Sequence, residues 1–242
     1  MPADPTDPPS DAQAARPGWN DYAWELPFPD AAARRAAWRH MLLKDEGLVR
    51  LALPRLDRVA DGVWRSGQPN PRQLAAFAAR GGRTVISLRN GRNFGSLPLE
   101  IEACHRLGLA FHVVPLRARR LPEPQTLLGF AELARRVETP VLLHCKSGSD
   151  RTGFAAALWL MLAEDRPLED ARRQLSLLHG HMPWTKSGLL GAVLDAYGRE
   201  AGWPPMPLER WLATRYDPEA ITAAFRRRSF PRWLLDRTRG RG

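Results

Sequence analysis

Apolar positions fall into short compact runs, separated by stretches in which they recur every three or four residues. Residues 84–88 (Thr, Val, Ile, Ser, Leu), 110–116 and 140–144 are β-rich apolar runs without strict alternation, as expected of strands covered on both faces. Helical patterns lie between them at 74–79, stopped by Gly81 and Gly82, at 99–107, and at 125–137, where the pattern is amphipathic. A fourth, at 153–162, follows the last strand, and a short strand pair is expected over 59–65, entered through Asp61 and Gly62. Strands alternating with helices in this way predict an α/β fold, a mainly parallel sheet flanked by helices on both faces. Further helical stretches are expected at 167–178 and 187–197.

The ends of the chain differ from this middle. Residues 1–30 carry seven prolines and six acids against one arginine, a composition that buries little and predicts a flexible acidic arm. Residues 31–51 look helical, so 31–55 is expected to be a leader helix on a main domain at 56–200. Residues 201–242 then form a helical, basic extension whose last 25 positions interleave seven arginines with Phe225, Phe230, Trp233, Leu234 and Leu235. That tail suits peripheral contact with an anionic membrane surface, or is a solvated basic face; nucleic-acid binding ranks last, since no recognised motif accompanies it.

Composition narrows the partners. The 242 residues carry 36 Lys+Arg against 26 Asp+Glu, a net charge of +10 that favours anionic ligands; Lys44, Lys146 and Lys186 are the only lysines. Two cysteines, Cys104 and Cys145, do not make a disulfide framework. The proline-rich acidic start is the reverse of a signal peptide, and the longest uncharged apolar run, 154–163, is half of the ~20 residues a membrane span needs. A cytoplasmic protein, at most peripheral to the membrane, is expected.

The chemistry concentrates in residues 141–153, between a buried strand and a helix. A loop of Lys146, Ser147, Gly148 and Ser149 that opens a helix near Arg151 can turn several backbone N–H groups toward one point, a nest for a tetrahedral oxyanion. Cys145 sits beneath that point, where the amides and the helix terminus lower its thiol pKa toward a thiolate nucleophile. The planar fork of Arg151 suits two equatorial phosphoryl oxygens, Thr152 can donate its hydroxyl to the sulfur, and His144 is read as bracing the loop.

His144 and Cys145 followed by Gly148, Arg151, Thr152 and Gly153 match the His-Cys-x5-Arg-Ser/Thr-Gly loop of the cysteine-dependent protein tyrosine and dual-specificity phosphatases. Residues 63–69 (Val, Trp, Arg, Ser, Gly, Gln, Pro) resemble the opening strand of the compact, atypical dual-specificity members, so the resemblance covers roughly 56–200. It implies a four- to five-stranded sheet, a phosphocysteine intermediate on Cys145, no metal and no cofactor. The substrate would be a phosphorylated protein or an anionic phospholipid or polyphosphate.

The sequence departs from the family in one respect. Members usually place an aspartate about thirty residues before the cysteine as general acid, and here residues 112–123 contain none. Two carboxylates are candidates. Asp150, inside the phosphate loop as in myotubularin-like and some bacterial tyrosine phosphatases, is preferred over Glu123, which by default is a helix N-terminal carboxylate. Arg117, Arg119 and Arg120 are expected on the loop covering the site, with Arg89 and Arg92 opening beside it; together they suggest a polyanionic substrate, although arginine is simply abundant in this chain. His179 and His181 lack acidic neighbours and make a poor metal set, and Lys186 is read as solvated. Cys104 reads as a buried small hydrophobe, with a resolving thiol the lesser alternative. The missing aspartate also leaves open a pseudophosphatase that binds a phosphorylated ligand without efficient turnover.

Overall fold

The computed structural model describes residues 28–45, 56–89 and 95–229. Its centre is a five-stranded sheet of β1 (Leu56–Ala60), β2 (Val63–Ser66), β3 (Thr84–Ser87), β4 (Ala110–Val113) and β5 (Val141–His144), in the order β1-β2-β5-β3-β4. β1 and β2 form an antiparallel hairpin turned at Asp61 and Gly62, where Gly62 has φ +69°; all other pairs are parallel. β5, the central strand, carries the chemistry-bearing loop at its C-terminal end, in register with Ser66 on one side and Ser87 on the other. The mainly parallel sheet flanked by helices is the architecture the apolar runs predict.

Strand positions alternate between two cores, which is why these runs are apolar throughout. Val85, Phe111, Val113 and Leu142 pack with Leu74 and Phe77 of α2 (Pro71–Ala79) and with Ala103 and Cys104 of α3 (Ser96–Leu107). Ile86, Val141 and Leu143 face the opposite way. There they meet α4 (Pro124–Arg136), α5 (Asp150–Leu162), α7 (Leu189–Glu200) and α8 (Leu208–Thr214). Trp211 of α8 is fully buried in this second core, and Tyr216 and Ile221 join it, so the segment after residue 200 closes the main core. Ile221 belongs to α9 (Pro218–Ser229), which packs on α7.

Helix boundaries follow local chemistry. α2 begins at Pro71, ahead of the expected 74, because Asn70 forms a capping box with Gln73 and proline suits the first helical position. α1 (Ala31–Leu43) is capped by Asp30, and residues 46–55 of the expected leader segment lie outside the described residues. Lys44 follows as its C-cap, and Asp45 turns inward to a buried arginine. α6 (Leu168–Arg172) is shorter than the expected 167–178; Leu177 and Leu178, 64% and 78% exposed, lie in a 3-10 turn closed by Gly180 at φ +75°. The acidic arm before residue 28 and the basic tail after 229 lie outside the described residues.

Candidate active site

Residues 146–149 link β5 to α5 and close tightly over the sulfur of Cys145. The turn depends on Gly148, at φ +80°, whose missing Cβ would lie 2.7 Å from the Gly67 nitrogen and 2.8 Å from the Ser66 carbonyl carbon. The Gly148 N–H donates to Cys145 Sγ at 3.3 Å, and the Gly153 N–H donates to the Ser149 carbonyl at 2.7 Å as α5 begins. Gln68 N–H donates to the Lys146 carbonyl at 3.1 Å, tying the loop to the strand beside it.

Cys145 is 1% exposed. Burial alone pushes its thiol up. Against this, the Arg151 guanidinium, the Thr152 hydroxyl and the backbone N–H groups of Gly148 and Thr152 together hold it below the ordinary cysteine value. The loop therefore stabilises a thiolate at the bottom of a partly open cup, with Lys146, Gly148, Ser149, Asp150 and Arg151 half-buried and Ser147 exposed.

Arg65, a residue whose role sequence reasoning missed, holds the outside of this loop. It is 1% exposed on β2, and its guanidinium donates to the carbonyls of Gly148 (2.7 Å) and Ser149 (3.3 Å) and to the carbonyl and side chain of Gln174 (2.8 and 2.9 Å). These bonds anchor the Gly148 and Ser149 carbonyls to β2, while the Gly148 N–H points to the Cys145 sulfur. The available signal was a lone arginine inside a strand otherwise destined for burial.

His144 is completely buried, with Nδ1 3.3 Å from the Cys145 carbonyl oxygen and Nε2 2.6 Å from Glu100 Oε1. Asp150 opens α5, and its Oδ1 lies 2.7 Å from Nδ1 of His181, a residue 2% exposed. That contact spans 31 positions and left no trace in the sequence. His181 also forms part of the wall of a cavity of about 770 Å³ that includes Trp184, Ile221 and Phe225. His179 instead approaches Asp57, Oδ2 at 3.5 Å. No group of three or more potential metal ligands occurs among the described residues.

Of the arginines expected around the site, Arg89 is turned inward. Arg89 is 6% exposed and grips Asp45 through both guanidinium nitrogens, at 2.8 and 2.9 Å, so it is a neutralised structural cation rather than an open one. Lys146 Nζ also approaches Asp45, at 4.0 Å. Arg117 and Arg120 pair across a tight turn, with Arg117, Arg119 and Arg120 exposed, and Arg120 lies 3.6 Å from Glu123. Glu123 precedes α4 and is exposed. Arg92 lies outside the described residues. Cys104 belongs to the α2–α3 core on the other side of the sheet, its thiol pushed well up by burial and by Glu100.

Comparison with known proteins gives the following. Residues 56–183 match the model of a family described as DSP-PTPase phosphatase fused to NAD+ kinase. The dual specificity protein phosphatase TpbA of Pseudomonas aeruginosa is 28% identical over 138 residues, 55% of this chain and 55% of TpbA. A beta-lactamase hydrolase-like protein of Xylella fastidiosa is 37% identical over 87 residues, 35% of this chain and 20% of that protein. The chain thus spans from a fifth to about half the length of these relatives. The crystal structure of P. aeruginosa TpbA aligns with 71% of this chain and 90% of its own at 20% identity, with a TM-score of 0.47.

Proposed function

The chain belongs to the family of dual-specificity-type phosphatases described as fused to NAD+ kinase, and from that membership we propose that it hydrolyses phosphomonoesters through a phosphocysteine on Cys145. The observation that carries this reading is the Cys145 thiol, held below its ordinary value inside a loop whose N–H groups and Arg151 converge on it.

In the first step the Cys145 thiolate attacks phosphorus, an S–P bond forms and the bond to the leaving oxygen breaks. Loop amides of 146–151 and the Arg151 fork bind the equatorial oxygens, whose charge they balance in the transition state. Asp150 gives its proton to the leaving oxygen, and His181 holds the carboxylate that remains. Water then attacks phosphorus and gives a proton back to the Asp150 carboxylate, the S–P bond breaks with Thr152 stabilising the departing thiolate, and inorganic phosphate leaves. Asp150 is preferred to Glu123 as the donor because Glu123 lies exposed beside Arg120. Intact Cys145 and Thr152 favour turnover over a reader of phosphorylated ligands, which needs the arginine but not the thiolate.

The substrate we favour is a phosphoprotein, the class named in the TpbA description. Arg89, withdrawn from the mouth by Asp45, weakens the case for a polyphosphorylated lipid head group. Among the described residues no helix is long and apolar enough to cross a membrane, and peripheral contact through the basic tail is a separate proposal that a liposome-binding assay of full chain against a 230–242 deletion tests.

The deciding experiment measures phosphate release by wild type beside Cys145→Ser. The panel holds phosphotyrosine and phosphothreonine peptides, phosphoinositides, phosphatidylglycerophosphate, NADP and an activated aryl phosphate. Release that vanishes in the serine variant is expected, with the peptides turned over best. No release from any member, with phosphate-mimic binding retained, overturns the hydrolase reading.

A further inference from the structure

Five polar side chains, all under 9% exposed, run without a break from the end of α1 to the residue before the nucleophile: Asp45, Arg89, Gln68, Glu100 and His144. Arg89 donates to both Asp45 oxygens, at 2.8 and 2.9 Å, and through Nη1 to Gln68 Oε1 at 2.9 Å. Gln68 Nε2 donates to Glu100 Oε2 at 2.9 Å. Glu100 Oε1 lies 2.6 Å from His144 Nε2, and His144 Nδ1 faces the carbonyl oxygen of Cys145. Ser96 donates its hydroxyl to Asp45 Oδ2. We propose that Asp45 is a positioning residue of the phosphate loop, acting through Arg89, Gln68 and Glu100 on His144, so that the leader helix is part of the catalytic unit.

The direction of the contacts carries the argument. Arg89 has only donors, so it claims the oxygen end of the Gln68 amide and thereby turns the NH2 end toward Glu100. At the other end, both His144 nitrogens face acceptor oxygens. The ring is thus fixed from both sides, Nδ1 3.3 Å from the Cys145 carbonyl oxygen and Nε2 2.6 Å from Glu100 Oε1. Each orientation depends on the one before it, and such networks hold together or fail together. Without the Asp45 charge, Arg89 is left as a buried cation lacking its bidentate partner, and the Gln68 amide loses the contact that orients it. The groups bearing on the Cys145 sulfur, Arg151, Thr152 and the Gly148 amide, are fixed by the same loop that His144 braces.

Asp45 lies outside residues 56–183, the part matched by the family model, so this brace comes from the chain's own leader segment. α1 also packs through Ala37 and Met41 against Leu99 of α3, one position before Glu100. That packing supplies an independent control, because it holds the same helix without entering the polar chain.

The proposal rests on the Cys145 loop being the reactive centre, but its test does not require turnover. The full chain and its Asp45→Asn, Gln68→Ala, double and Met41→Ala variants are alkylated with iodoacetamide across pH, and the Cys145 peptide is followed by mass spectrometry. Phosphate release from an activated aryl phosphate and thermal midpoints are measured in parallel. Asp45→Asn and Gln68→Ala should each raise the alkylation midpoint and slow phosphate release, by about 10²-fold if the loop shifts by an ångström. The double variant should be no worse than either single one, as members of one chain require. Met41→Ala should lower the thermal midpoint and leave the alkylation midpoint in place. An unmoved midpoint in Asp45→Asn overturns the proposal, as do effects that simply add in the double variant. If midpoints move as expected while wild type releases no phosphate, the hydrolase reading fails and the positioning role stands.

Discussion

Asp150 Oδ1 and His181 Nδ1 lie 2.7 Å apart, which couples the carboxylate inside the phosphate loop to a histidine buried behind it. A carboxylate so held is oriented before any ligand arrives, the condition for a proton donor to act at the moment the leaving oxygen departs. A loop brace would be held in the same way. Leaving-group dependence separates the two roles.

Asp150→Asn should slow hydrolysis of a phosphotyrosine peptide by about 10²–10⁴-fold, the usual contribution of general acid catalysis, while an activated aryl phosphate with an acidic leaving group loses far less. His181→Ala should show the same selectivity in milder form. Steady-state rates on both substrates check this. An equal loss on both would assign Asp150 to loop structure.

The pH dependence of Cys145 follows from the balance of forces upon it. Burial pushes the thiol up, and Arg151 contributes the strongest opposing pull, so the folded value lies below the ordinary one. A depressed acid stabilises the folded state. This stability is present above the unfolded cysteine value of about 8.5 and is lost as pH falls through the folded value. Wild type should therefore gain stability relative to Cys145→Ser as pH rises through this window, read by denaturant titration. Arg151→Ala should move the acidic limb of the rate profile to higher pH and slow turnover by about 10³-fold or more. A limb that stays in place would show that Arg151 does not set the thiolate.

The sheet and the phosphate loop were legible in the sequence because each is local. Val85 and Ile86 alternate between two cores and so read as one apolar run, and Cys145, Gly148 and Arg151 are neighbours in the chain. What was missed joins distant segments through polar side chains. Arg65 reaches Gln174 across 109 positions and Arg89 reaches Asp45 across 44. No periodicity records such pairs. Arg89 reads as an open cation until the carboxylate that neutralises it is found. The same holds for the extension expected after residue 200, where Trp211 fills the main core and gives its indole N–H to Glu200.

Arg65→Lys keeps the charge but offers a point donor where four acceptors wait. Leaving two or more of these oxygens buried and unmet should cost about 2–3 kcal/mol in urea unfolding, with turnover lowered because the Gly148 and Ser149 carbonyls are no longer anchored to β2. A variant of wild-type stability and rate would mean that water replaces the guanidinium without loss.

The exposed arginines make the opposite prediction. Arg120 and Glu123 are each more than half exposed, and such pairs contribute little to stability, so Arg119→Ala combined with Arg120→Ala should shift unfolding by no more than about 0.5 kcal/mol. Their effect should appear in selectivity. With Arg89 spent on Asp45, the attraction of a highly charged substrate falls to exposed cations such as these. The double variant should lower kcat/KM for a multiply phosphorylated substrate more than for a simple aryl phosphate, and added salt should narrow the difference because exposed charges are screened. An identical ratio of the two values in wild type and variant, at low and high salt, would remove this turn from the specificity surface.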